Sequence, residues 1–145
     1  MSWPVQLTAC FLASICFSVL LNQPRRTILV SALIATAGYA LFLFLGEGTM
    51  AYFGATLLMG ISCEISARIF KRAATLFITS SLIPLVPGIG LYRTMRYAIE
   101  GDYAQAVTVG MSTLLGVFAI ALALTFSSIL FSGFHRLHPD RGRTL

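Results

Sequence analysis

Five long stretches of this chain contain no Asp, Glu, Lys or Arg, and each is longer than about 15 residues. None of them shows the strict alternation of apolar and polar residues that a barrel strand requires. A polar backbone group left bare in hydrocarbon costs several kcal/mol, so only helices and closed barrels can span a membrane. Since barrel strands are excluded, the sequence predicts an all-α polytopic membrane protein.

The composition supports a single integral membrane domain over residues 1–145. The chain is 57% hydrophobic and 10% charged, whereas a soluble domain carries about 25% charged residues. A helix needs about 20 residues to cross a bilayer core. Five transmembrane helices are predicted, at residues 3–21, 28–45, 49–67, 73–92 and 104–131.

The basic residues indicate how these spans are oriented. Arg93 and Arg96 fall on one side of the membrane, and the other eight Lys and Arg fall on the opposite side. Because cytoplasmic loops retain Lys and Arg, we expect the N-terminus outside and the C-terminus in the cytoplasm. A re-entrant hairpin in place of the fourth span would weaken the division to seven against three. The eight residues are Arg25, Arg26, Arg68, Lys71, Arg72, Arg136, Arg141 and Arg143.

Several other classes of function are disfavoured. The net charge is +5, but the basic residues lie between spans, so no nucleic-acid partner is predicted. Cys10, Cys16 and Cys63 lie inside hydrophobic stretches as packing residues, without metal-ligand spacing. His135 and His138 form an H-x-x-H without a nearby third ligand, so no metal site is predicted. No nucleophile–base set or phosphate-binding glycine loop is present, which argues against an enzyme.

Small residues recur four positions apart in two of the spans. This spacing places them on one face of a helix and allows two helices in lipid to approach closely. The alternative is chance, since the chain is rich in Ala and Gly. The pairs are Ala51 with Ala55, Ala106 with Gly110, and Ala119 with Ala123.

The fourth span is interrupted by two prolines. Pro84 and Pro87 lack the N–H groups that would bond the carbonyls of Ser80 and Ile83. Bare carbonyls and a new helix N-terminus are tolerated in a membrane only inside protein or along a cavity, and that N-terminus favours an anion. The pattern is consistent with a carboxylate site or with an ordinary proline kink. The residues expected at such a site are Ser80, Ser81, Pro84, Pro87, Gly88 and Gly90.

Charged residues flank this break on both sides. Glu64 is the one acidic residue inside a predicted span and is a candidate proton-coupling or gating group, although it could instead pair with Arg68 four residues later. Arg93 or Arg96 could guide a carboxylate at the outer opening beside Tyr92. The alternative for these arginines is an interfacial turn that anchors the span, with Arg96 paired to Glu100.

Residues 63–106 resemble the threonine/serine exporter family, and within it the small YjjB-type subunit. The resemblance rests on Glu64, Arg68 and Tyr92, on the Ile-Pro-Leu-Val-Pro-Gly string at residues 83–88, and on Glu-Gly-Asp-Tyr at residues 100–103. It covers 44 of the 145 residues.

The resemblance implies export of a small carboxylate, either threonine and serine or a C4-dicarboxylate such as succinate. It also implies a larger multi-span subunit as partner, a bacterial inner membrane as location, and no cofactor. Two alternatives remain open. One is a membrane scaffold or accessory subunit with no pathway of its own, and the other is a homo-oligomeric channel.

Overall fold

The computed structural model describes residues 3–46 and 48–136, the last five of them by their backbone alone. His138, Arg141 and Arg143 therefore lie outside the described residues, as does the side chain of His135. The described chain consists of six α-helices and one 3-10 turn, without strands, which confirms the all-α prediction. These elements are α1 Trp3–Leu20, α2 Arg25–Phe44, α3 Thr49–Phe70, α4 Ala74–Leu82, a 3-10 turn Ile83–Leu85, α5 Gly88–Ile99 and α6 Tyr103–Arg136.

Four helices of the described chain are long and apolar enough to cross a membrane: α1, α2, α3 and α6. A fifth crossing is available if the segments Ala74–Leu85 and Gly88–Ile99, which meet at a 47° bend, form one broken span. The predicted fourth span ends at residue 92, but the helix does not: α5 continues to Ile99. The polar residues after position 92 are at helical spacing, which is compatible with this continuation.

Left-handed residues follow four of the described helices and determine where the chain turns. Asn22, Gly46, Lys71 and Gly101 have φ values of 54°, 86°, 50° and 82°. After α3, the Arg72 N–H bonds the Ala67 carbonyl at 2.9 Å and the Lys71 N–H bonds the Arg68 carbonyl at 3.3 Å. This pattern satisfies carbonyls that a helix end otherwise leaves open. The chain therefore reverses at Lys71 and brings α4 back beside α3.

The two ends of the helix bundle differ in charge. The turn before α2 and the turn before α4 lie side by side, because the Gln23 side chain bonds the Leu76 carbonyl. The C-terminal part of α6 joins them, since the Arg68 guanidinium bonds the Phe131 carbonyl. We call this the basic end, because Arg25, Arg26, Arg68, Lys71 and Arg72 cluster there.

The core lies where α3 packs on α2 and along α6. Gly60 of α3 packs closely against Ser127 of α6. Further along the same two helices, Gly116 of α6 packs against Tyr52 of α3, and a Cβ on Gly116 would lie 3.1 Å from the Tyr52 ring. The small residues noted above contribute to this packing, because they let helix backbones come close in lipid. Those that are buried are Ala51, Ala55, Ala106, Ala119 and Ala123.

α5 and the first half of α6 form an antiparallel hairpin. Gly90 packs against Thr113, and a Cβ on Gly110 would lie 3.1 Å from Thr94 Cγ2. α6 has 34 residues, and its first 13 precede the contact with Tyr52. At 1.5 Å per residue, the hairpin extends roughly 20 Å along α6 beyond the level of Tyr52. None of the residues of α5 is buried.

A buried polar cluster holds α4 against α2. The Gln23 amide donates to Ser80 Oγ at 2.9 Å and accepts from Ser31 Oγ at 3.2 Å. Ser81 Oγ donates to the Ser31 carbonyl at 3.0 Å. Since buried polar groups in lipid need partners, this cluster fixes the position of α4 relative to α2.

Replacing Gln23 with alanine should loosen α4. The substitution leaves the Ser31 hydroxyl without its acceptor, and an unsatisfied buried group costs about 1–3 kcal/mol. We expect a lower unfolding temperature of the detergent-solubilised protein. Gln105→Ala is the matched control, because Gln105 is exposed at the start of α6. Equal stability of the two variants would contradict the structural role of the cluster.

Candidate substrate site at the broken helix

The break between α4 and α5 follows from the two prolines. Pro84 lies in the 3-10 turn, at a position where the missing N–H is tolerated. The Val86 N–H donates to the Ile83 carbonyl at 3.3 Å. The prediction that Pro87 leaves the Ile83 carbonyl bare is therefore wrong, because the tighter turn supplies a donor three residues later.

The N-terminus of α5 begins directly after this turn. The Gly88 N–H bonds the Val86 carbonyl at 2.7 Å, and the Leu91 N–H bonds the Pro87 carbonyl at 3.2 Å. Between them, the N–H groups of Ile89 and Gly90 have no backbone acceptor in the described part of the chain. Pro87 provides no side-chain cap. The first turn of α5 therefore presents open donors and the positive end of its dipole.

A cavity of about 360 Å³ lies against this helix end. We call it the break pocket, and its size is within the range of small-molecule sites, roughly 300–1,000 Å³. Its wall combines the whole break with side chains from α1, α2 and α3. The lining residues are Gln6, Tyr39, Phe42, Tyr52, residues 84–90 and Arg93.

The break pocket is electropositive. Arg93 is the one formally charged residue among the described residues that line it, and the α5 N-terminus adds a partial positive charge. Guanidinium and backbone N–H groups together suit a carboxylate. Tyr39, Phe42 and Tyr52 supply aromatic walls, and the Phe42 and Tyr52 ring centroids are 4.5 Å apart. The pocket therefore places positive charge beside an apolar and aromatic surface.

Five of the predicted binding residues meet at this pocket: Pro84, Pro87, Gly88, Gly90 and Arg93. Ser80 and Ser81 do not, because they are buried in the Gln23 cluster. Tyr92 is 67% exposed and is not part of the pocket wall.

Arg96 also lies apart from the break pocket. Its Nε donates to Glu100 Oε1 at 2.8 Å, which confirms the predicted pair. Because this guanidinium already has an acidic partner on the exposed side of α5, Arg93 is the arginine positioned to meet a ligand.

Sequence reasoning missed the side of the pocket formed by α1 and α2. Gln6, Tyr39 and Phe42 stand inside apolar stretches, and nothing in their local pattern separates them from lipid-facing or core residues. Tyr52 could be placed near the outer boundary as an interfacial aromatic residue. Its position opposite the proline break depends on how α3 packs.

Glu64 and Arg68 occupy a different cavity, at the basic end. It measures about 390 Å³ and is also lined by Arg72, Ser128 and Phe131. Arg68 does not pair with Glu64 here, since its Nη2 donates to the Phe131 carbonyl at 2.9 Å and its guanidinium lies 4.8 Å from the centre of the Phe131 ring. We call this cavity the basic-end pocket.

Comparison with known families assigns the chain. The family profile described as Threonine/Serine exporter, ThrE matches residues 6–130. The chain belongs to the threonine/serine exporter family. Searches of curated proteins and of solved structures return no match.

Membership of the exporter family agrees with the architecture. The matched residues include the whole lining of the break pocket, from Gln6 to Arg93, and also Glu64 and Arg68. The protein is thus a multi-pass membrane protein of a transporter family.

Proposed function

We propose that the protein is the small subunit of an exporter that carries threonine or serine out of a bacterial cell. In this proposal the substrate carboxylate binds at the break pocket, between Arg93 and the N-terminus of α5. The observation that carries the proposal is that one cavity is lined by both the proline break and Arg93. A carboxylate there would receive a charge-assisted hydrogen bond together with backbone donors.

The charges at this pocket favour an amino acid over a C4-dicarboxylate. One guanidinium matches one carboxylate, and succinate would bring a second anion to a wall without a second cation. An ammonium group is instead attracted to the faces of aromatic rings, which Tyr39 and Tyr52 provide. Threonine or serine thus fits the charges better than succinate.

The proposed orientation puts the basic end in the cytoplasm and the break pocket toward the outside. The concentration of Lys and Arg at the basic end supports this direction. In this orientation the N-terminus is outside and the C-terminus inside. Glu64 is half-buried on the cytoplasmic half of α3 and is the candidate proton-linked acid, with Arg68 beside it as a gating residue.

A larger multi-span subunit is the proposed partner. α5 packs against α6, and it exposes Ile89, Tyr92, Met95 and Ile99 by 66% or more. Because α6 covers only one face of α5, one side of the break pocket has no helical wall among the described residues. A second subunit, or a second copy of this chain, would supply that wall.

Efflux measurements test this proposal. Cells preloaded with labelled threonine are compared when they express this gene, a gene for the proposed larger subunit, or both. We expect efflux above background with both genes together. If efflux stays at background with each gene alone and also with both together, the exporter proposal is contradicted.

The same cells separate the alternatives. If the protein is a scaffold, Arg93 variants would change the abundance of the partner while efflux per complex stayed constant. If it is a channel, efflux would persist after collapse of the proton gradient. Succinate as competitor measures which substrate is preferred.

A further inference from the structure

The basic-end pocket contains charges of both signs within one cavity. Glu64 contributes a carboxylate, and Arg68 and Arg72 contribute guanidinium groups. Ser128, also in the wall, adds a hydroxyl group. This pattern differs from that of the break pocket, where the charge is positive alone.

The positions of Arg68 and Glu64 keep these charges separate. The Phe131 carbonyl and ring hold the Arg68 guanidinium on α6, and this contact uses one of its five N–H donors. Glu64 forms neither a hydrogen bond nor an ion pair with any residue that the structure describes. A half-buried carboxylate inside a span is costly without a partner. Glu64 therefore lies in a pocket with two arginines but pairs with neither of them.

The beginning of α4 adds to the positive side of the pocket. Ala74, the first residue of α4, lines the cavity, and this helix end has no side-chain cap. Its partial positive charge acts together with Arg72 and Arg68. An anionic group would thus be attracted toward these residues, and a cationic group toward Glu64.

We propose that the basic-end pocket is a loading site that takes a free α-amino acid through both of its charges. The substrate carboxylate binds at Arg68 and Arg72, and its ammonium group binds at Glu64. This inference rests on the proposed export function and adds a second, cytoplasmic site to it. A C4-dicarboxylate is disfavoured, because its second carboxylate would approach Glu64.

A polar seam connects this pocket with the break pocket. Tyr52, Thr56, Gly60, Glu64 and Arg68 follow one another at four-residue intervals and form an oblique ridge that winds slowly around α3. The ridge follows α6, because Tyr52, Gly60 and Arg68 contact Gly116, Ser127 and Phe131 in turn. Tyr52 lines the break pocket, whereas Glu64 and Arg68 line the basic-end pocket. The two sites are thus about 18 Å apart along α3.

Two hydroxyl groups near Gly60, one on the seam and one on the part of α6 that packs against Gly60, are buried without partners. Thr56 Oγ1 and Ser127 Oγ have no hydrogen-bond acceptor or donor among the described residues. Buried hydroxyls are nearly always hydrogen-bonded, so unpaired ones next to Gly60 mark a place where a polar ligand or water would be accommodated. In this structure the space beside Gly60 is surrounded by apolar side chains, including those of Met59, Leu82 and Leu124.

Cysteine labelling tests the loading site without measuring transport. The reporter is Ala74→Cys, which lies on the pocket wall, in a Cys16→Ala background because Cys16 is exposed. The full-length chain is purified with any subunit that stays bound and placed in lipid nanodiscs. At a threonine concentration about ten times its Kd, we expect maleimide labelling to slow by about tenfold.

Matched ligands and variants identify the charges involved. N-acetyl-threonine lacks the ammonium group and succinate lacks it as well, so neither should protect the reporter. Glu64→Gln should weaken protection by threonine at least about tenfold, because a charge-assisted bond is lost. Glu100→Gln removes an acid at the opposite end of the bundle and should leave protection unchanged. Glu64→Asp keeps the charge and should keep protection in part.

Three results would overturn the loading site. The first is the absence of threonine protection in a reporter protein that still exports threonine, which would leave the export proposal intact. The second is equal protection by succinate or N-acetyl-threonine. The third is labelling that depends on phosphatidylethanolamine in the nanodisc and not on threonine, since that headgroup also carries both charges. A reporter at Ala104, outside both pockets, controls for general changes in reactivity.

Discussion

Arg93→Ala is expected to lower threonine efflux by about tenfold to a hundredfold. The guanidinium is the one formal charge among the described residues of the break pocket, and a hydrogen bond to a charged group has an energy that corresponds to this range. Arg93→Lys should retain part of the efflux, because a lysine keeps the charge but loses the planar pair of donors. Initial efflux rates from preloaded cells, normalised to membrane abundance, provide the measurement.

Arg96→Ala is the matched control for this experiment. Arg96 lies one turn further along α5 and is paired with Glu100, so its removal should change efflux by less than about twofold, as for an exposed ion pair. A larger loss from Arg96→Ala than from Arg93→Ala would exclude the break pocket as the carboxylate site. Equal efflux in both variants would favour the scaffold alternative.

Gly60→Ala is expected to destabilise the bundle where α3 meets α6. A Cβ at this position would overlap Ser127 Oγ and would lie 2.9 Å from Ser127 Cβ, which is fixed to the backbone. The two helices must therefore separate, and overpacking of this kind costs about 1–3 kcal/mol. The expected result is less protein in the membrane and a lower unfolding temperature in detergent.

A second substitution shows whether this contact is the cause. Ser127→Gly removes both atoms that meet the new Cβ, so Gly60→Ala should be milder in that background, and the two changes should be non-additive. Gly54→Ala is the control on the same helix, because its Cβ would meet Leu45 Cδ2 at an ordinary 3.4 Å. Strictly additive effects of the Gly60 and Ser127 changes would show that the instability arises elsewhere.

The contact at Gly60 also bears on the seam between the two pockets. Gly60 lies between Thr56 and Glu64 on α3, so any movement that opens the seam must change the spacing of α3 and α6. A variant that forces these helices apart would disturb both pockets together. Substitution of Arg93, in contrast, should alter the break pocket and leave the seam in place.

Much of the fold could be predicted because it depends on local chemistry. Long uncharged stretches predict helices in lipid wherever they occur, and proline interrupts a helix through its own missing N–H. The break at residues 84–88 and the pair between Arg96 and Glu100 follow from spacing within one helix. The same reasoning placed Arg93 beside the break, where the pocket is found.

The remaining features depend on which helices pack against each other and in which axial register. Ser80 and Ser81 precede the break in sequence, yet they turn toward Gln23 and Ser31 because α4 packs on α2. Glu64 and Arg68 are spaced for an ion pair, yet the Arg68 guanidinium donates to the Phe131 carbonyl of α6 instead. In both cases a partner more than 40 residues away in sequence decides where the side chain lies.

The sequence by itself determined the helical character of the chain, its candidate membrane crossings and the place where one of them breaks, since each depends on residues within a few turns. Only the tertiary structure decided which side chains surround the break and that Arg68 bonds Phe131 and not Glu64. The physical reason is that the vertical register of packed helices is set by close contacts such as those of Gly60 with Ser127 and Gly90 with Thr113, and these contacts join residues that no local pattern connects.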